Sequence, residues 1–128
     1  MKDLNKLVNE SINELESIGI KCDFNNIQFK INEKFVRKWG LCHRNPNGSY
    51  LITISSRLFD ETCPDISTKS TIIHEILHTL TWGCGHRGEW KRLANVVNAA
   101  GYGYNIKRAS SEEEKGVSGQ EIVYKYAC

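Results

Sequence analysis

The 128-residue sequence has no apolar run approaching the roughly 18 residues that a membrane-spanning helix requires. Its first ten residues, Met1 to Glu10, are too polar to form the apolar centre of a secretory signal. Paired cysteines are missing as well. Cys22, Cys42, Cys63, Cys84 and Cys128 are odd in number, widely spread and without a C-x-x-C pair, a pattern that argues against a disulfide-stapled secreted domain. A cytoplasmic protein with no membrane association is the expectation. Net charge is also small: 17 basic against 15 acidic side chains leave +2, too little to mark a nucleic-acid-binding protein by itself. Internal repeats and low-complexity tracts are absent. With 40% hydrophobic and 25% charged residues, the composition lies well away from that of disordered chains, and the length fits one hydrophobic core.

The charge is unevenly distributed. Gln28 to Arg44 holds five basic residues and one acid, and Arg87 to Arg108 holds five basic residues against Glu89 alone. Apolar spacing gives a coarse map. Leu4, Leu7, Val8, Ile12, Leu15 and Ile18 predict an amphipathic helix capped by Asp3 and ended by Gly19. Ile27 to Ile31, Phe35 to His43 and Tyr50 to Ile54 read as three strands of a small antiparallel sheet, with turn chemistry at Asn45-Pro46-Asn47-Gly48. Ser67 to Leu80 reads as a second helix. Trp90, Leu93, Ala94, Val97 and Ala100 form the stripe of a third, stopped by Gly101. A polar segment from Ser110 to Gly119 precedes a short strand at Ile122 to Tyr126. The order of elements suggests an α+β domain.

Three of the four histidines fall within residues 74–86, and His74-Glu75-Ile76-Leu77-His78 is an H-E-x-x-H pattern. Four helical steps advance about 6 Å and turn about 400°, so both imidazoles project from nearly one side and can share one metal. Glu75 lies about 100° round from His74, a placement that suits a carboxylate acting on water more than one binding the ion. A catalytic zinc takes three protein ligands and leaves a fourth position open. His86 is the best candidate for the third. A continuing helix would carry it about 12 Å past His78, so the chain must reverse, and Gly83 and Gly85 lie in the interval. The next helix is then expected to begin near His86.

Cys84 is an alternative donor that would make a closed, more structural site with His86, and Glu112 to Glu114 supply another alternative. With three neutral imidazoles the ion keeps its full charge, and Glu75 would accept a proton from the attacking water and pass it to the departing amine. A nucleophilic cysteine, Cys42 beside His43 or Cys84 near His86, is the competing enzyme class. Tyr50, His43, Tyr102 and Tyr104 are candidate oxyanion donors. Tyr50 to Ser55 is expected to be an exposed edge strand beside the metal, pairing with an extended peptide substrate and giving low sequence selectivity.

H-E-I-L-H, a short glycine-containing turn and then H-R-G-E-W opening an amphipathic helix resemble the SprT-like zinc metalloproteases. Trp39 to Cys42 and Ile52 to Ser55 look like that family's sheet segments, and the likeness spans about Ile27 to Gly101. The resemblance implies a single zincin-like metallopeptidase domain over residues 1–128, with one catalytic Zn2+ on His74, His78 and His86 and Glu75 as general base. It implies an N-terminal helix, a small antiparallel sheet and the motif helix followed by a further helix. Two features depart from the family pattern. Arg87 follows the third histidine where relatives commonly have glycine, which here comes second as Gly88. Val123 to Cys128 resembles the opening of a four-cysteine zinc ribbon that is then absent or truncated after residue 128. Relatives cleave proteins attached to DNA. DNA is therefore an expected partner, through Arg37, Lys38, Trp39, His43 and Arg44 and through Arg87, Lys91, Arg92, Lys107 and Arg108, with Trp39 either stacking on a base or buried in the sheet. The rival reading is a non-proteolytic zinc-containing nucleic-acid-binding module.

Overall fold

The computed structural model describes residues 2–107 and the backbone of residues 109–111 and 124–126. Helix α1 (Leu4–Ser17) starts where the Asp3 carboxylate accepts from the backbone N–H groups of Asn5 and Lys6, at 3.0 and 3.3 Å. These are donors that a helix start leaves without intrahelical partners. Its spacing of apolar side chains buries Leu7, Val8, Ile12 and Leu15 as predicted. Helix α2 (Asp65–Leu80) begins two residues before the predicted start, because Pro64 supplies a preset φ at a position where its missing N–H costs nothing. Ile72, Ile73, Ile76 and Leu77 are fully buried, and α2 packs against α1, the sheet and α3 (Glu89–Ala99). Lys69 of α2 reaches Glu14 of α1 at 3.0 Å.

The sheet corrects the all-antiparallel expectation. Strands β1 (Ile27–Asn32), β2 (Gly40–Arg44) and β3 (Tyr50–Ser55) lie in the order β1-β3-β2. β2 and β3 form the predicted hairpin, with Arg44 opposite Tyr50 and Gly40 opposite Ile54. β1 takes the other side of β3 and runs parallel to it, Ile27 beside Tyr50 and Asn32 beside Ser55. The turn at residues 45–48 specifies only its own hairpin; residues 33–39 carry the chain past the end of β3, and a strand placed on that far side must share its direction.

β2 also starts later than Phe35. The Asn32 side chain accepts from the Lys34 N–H at 2.7 Å, which turns the backbone away from the ladder, and Val36 is 72% exposed. β3 is therefore the central strand, with Ile52 and Ile54 fully buried, and Tyr50 to Ser55 is not the exposed edge. Among the described residues, the edge strand that packs on α2 is β2.

Backbone segments β4 (Ala109–Ser111) and β5 (Tyr124–Tyr126) pair antiparallel, so the expected terminal strand is present over those three residues. Residues 112–123, including Glu112 to Glu114 and the remainder of the predicted polar segment, lie outside the described residues, as do Arg108 and Cys128. No helix among the described residues is long and apolar enough to cross a membrane.

Candidate metal centre

His74 and His78 sit one turn apart on the buried C-terminal half of α2, and the chain after α2 brings a third imidazole to them. Thr81 closes the helix by donating its hydroxyl to the Leu77 carbonyl at 2.8 Å. Two successive turns follow, Cys84 N–H to the Thr81 carbonyl at 3.0 Å and Arg87 N–H to the Cys84 carbonyl at 3.2 Å. Gly83, Gly85 and Gly88 all have positive φ, and the reversal the spacing predicted is made there. Gly88 stands at the N-cap of α3 with φ 55° and ψ −125°, a conformation essentially closed to side-chain-bearing residues. α3 itself begins at Glu89, three residues later than expected, so His86 lies in the turn and not on the helix.

The result is convergence. His86 Nε2 lies 3.1 Å from His74 Nε2 and 3.3 Å from His78 Nε2. His74, His78 and His86 form a group whose ligand atoms all lie within 4.8 Å of one another. A tetrahedral zinc with bonds of about 2.0–2.1 Å separates its ligand nitrogens by about 3.3 Å, so the donor set fits that ion in both chemistry and spacing. Burial, and then the neighbouring His86, push the His78 imidazole down to a pKa of about 4. It is neutral at physiological pH, the form in which its nitrogen lone pair can bind a metal. Beside His86 lies a cavity of about 240 Å3 lined by Cys84, Gly85, His86 and Arg87.

Glu75 is fully buried between α2 and β2. A Cβ added to Gly40 would lie 3.0 Å from Glu75 Oε2 and 3.1 Å from both Glu75 Cγ and Thr71 Cγ2. The sheet can approach the carboxylate this closely because residue 40 has no side chain. Trp90, the first large apolar residue of α3, is 2% exposed and touches all three histidine rings. Sequence reasoning assigned neither Gly40 nor Trp90 to the site. A glycine inside a strand is a signal of close backbone approach, whereas Trp90 was legible as part of an apolar stripe and as the end of H-R-G-E-W, with no role at the metal.

Among the described residues, the structure separates the alternatives from this cluster, and Glu112 to Glu114 lie outside those residues. Cys84 is exposed and is not a member of the histidine group. Burial and the Glu75 charge push the Cys42 thiol up to about 12, so it is a protonated thiol and not a nucleophilic thiolate. Its sequence neighbour His43 is exposed, whereas Cys42 is buried. Tyr102 and Tyr104 hydrogen-bond Ser17 and Glu14 of α1, and Tyr50 instead packs on Trp82 just after the motif helix, with ring centres 5.7 Å apart. Trp39 is 1% exposed under the Arg57 guanidinium, so it offers no face to a base. Arg37, Lys38, His43, Arg44, Arg87, Lys91 and Lys107 are exposed, and Arg92 is engaged by Glu89 at 2.5 and 2.7 Å.

No curated protein matches the chain. The SprT-like family profile matches residues 1–110, which take in the three-stranded sheet, the whole histidine cluster, Glu75 and Trp90. The chain belongs to the SprT-like family.

Proposed function

We propose that this protein is a zinc-dependent endopeptidase, with His74, His78 and His86 as the metal ligands and Glu75 as the general base. The observation that carries the reading is the convergence of three imidazole nitrogens, with the buried Glu75 next in sequence to the first of them. A zinc ion bound there supplies the Lewis acidity that makes water nucleophilic near neutral pH and polarises a peptide carbonyl. Glu75 accepts the proton of the attacking water and delivers it to the amine that leaves, so no covalent intermediate with the protein is needed. The packing of Glu75 against Gly40 fixes where that proton is taken up. A module keeping the ion for structure alone would want a fourth protein donor, and Cys84, the nearest candidate in sequence, lies outside the cluster.

The edge of β2, which pairs with no further strand among the described residues, is the surface on which an extended substrate would pair its backbone, since β2 starts at the Glu75 contact with Gly40. Pairing through main-chain groups gives little sequence selectivity. Proteins associated with DNA are the proposed substrates, the exposed Arg37, Lys38, Arg44, Arg87 and Lys91 providing phosphate contacts. Cytoplasmic residence agrees with the absence of disulfides among Cys22, Cys42, Cys63 and Cys84.

Cleavage of an unfolded protein, with and without single-stranded DNA, tests the reading. A zinc chelator is expected to abolish cleavage and added zinc to restore it. Cleavage unaffected by chelation, or none under either condition, overturns it. Gly40→Ala provides a second check. The new methyl group displaces the Glu75 carboxylate, so turnover is expected to fall about 10–100-fold with KM little changed and zinc retained. Overpacking should cost about 1–3 kcal/mol, visible as a lower melting temperature.

A further inference from the structure

We infer that Trp90 is a positioning residue that holds the three imidazoles in their metal-binding arrangement and thereby sets zinc affinity. This rests on the zinc-site reading above. Trp90 Nε1–H donates to the backbone carbonyl of His74 at 3.3 Å. In an α-helix that carbonyl also accepts from the amide four residues on, which here is His78. One indole N–H therefore braces the carbonyl through which the helix links the two ligand-bearing residues by a backbone hydrogen bond.

The indole ring completes the arrangement. It stacks on His78, with centres 5.4 Å apart and planes at 21°, and it meets His74 at 4.8 Å and 63°. His86 meets it in a T-shaped contact, with centres 4.7 Å apart and planes at 88°. The loop-borne ring and the two helix-borne rings are thus held against a single buried plane. Such contacts restrict imidazole rotation before any ion arrives, so less ordering remains to be done on binding. They also favour the loaded state electrostatically, because metal coordination makes the imidazoles more positive and an aromatic π-system attracts positive charge. α3 delivers the indole rigidly: Ala94 and Val97, four and seven positions on, are buried on the same face of the helix, 2% and 1% exposed.

The test measures zinc affinity by chelator competition, together with the visible bands of the cobalt-substituted protein, in wild type, Trp90→Phe and Trp90→Ala. Wild type is expected to bind one zinc. Trp90→Ala should weaken binding about 10–100-fold and alter the cobalt bands. Trp90→Phe keeps an aromatic plane but loses the N–H, so it should recover most of the affinity and remain about fivefold weaker than wild type. A wild-type protein that takes up no zinc would sink the site reading itself. Wild-type uptake of one zinc, with both variants matching it in affinity and cobalt spectrum despite a lowered melting temperature, would make Trp90 a packing residue only and overturn this inference. If Trp90→Ala does not fold, Trp90→Phe decides: a weakened affinity supports the assignment and an unchanged one overturns it.

Discussion

Glu75→Gln is expected to leave one zinc bound per chain and to lower the rate of peptide cleavage by about 10²–10⁴, the range a positioned general base contributes. The substitution is nearly isosteric, so the packing against Gly40 is preserved. What it removes is the ability to accept a proton. Metal analysis and cleavage rates on the same preparation check both halves. A rate within a few-fold of wild type would show that the base lies elsewhere, and loss of zinc would show the carboxylate acting as a ligand. The outcome also separates an enzyme from a zinc-containing binding module, in which Glu75→Gln should change nothing.

His86→Ala is expected to have the largest effect on the metal. Structural zinc sites with four ligands bind with about 10–16 kcal/mol, so one ligand carries about 3–4 kcal/mol and its loss weakens binding about 10²–10³-fold. His74 and His78 would remain in place on α2, which owes its position to Ile72, Ile73, Ile76 and Leu77. The variant should therefore fold, as circular dichroism would show, while its zinc content falls to a small fraction of wild type. Cys84→Ala is the matched control and should keep its zinc, since Cys84 is exposed and outside the histidine group. Equal losses in the two variants would make the sulfur a ligand and close the fourth position.

The parts of this structure that depend on neighbours in the chain were readable from the sequence. Asp3 caps α1 because an N-cap acts within three residues, and the stripe through Leu7, Val8, Ile12 and Leu15 follows the helical period. His74 and His78 share a face for the same reason. His86 could be reached by elimination, since a straight helix overshoots and glycines mark the reversal.

Strand order was not readable in this way. Alternation tells which side chains are buried, not which strand lies beside which, and the parallel pairing of β1 with β3 joins residues 23 apart. One signal existed: Tyr50-Leu51-Ile52-Thr53-Ile54 is almost continuously apolar, more like a covered central strand than an edge. Trp39 shows the same ambiguity, since an aromatic beside basic residues reads as a stacking surface until its burial is known. The contacts of Trp90 with the histidines depend on how α3 packs on α2, which no local pattern encodes.

The turn over residues 83–88 gives the site an asymmetry with mechanical consequences. Two donors ride on a helix whose place is set by the hydrophobic core, whereas the third hangs from a glycine-rich hinge whose other residues are exposed. An ion held by all three imidazoles would therefore fasten this exposed turn to the buried face of α2.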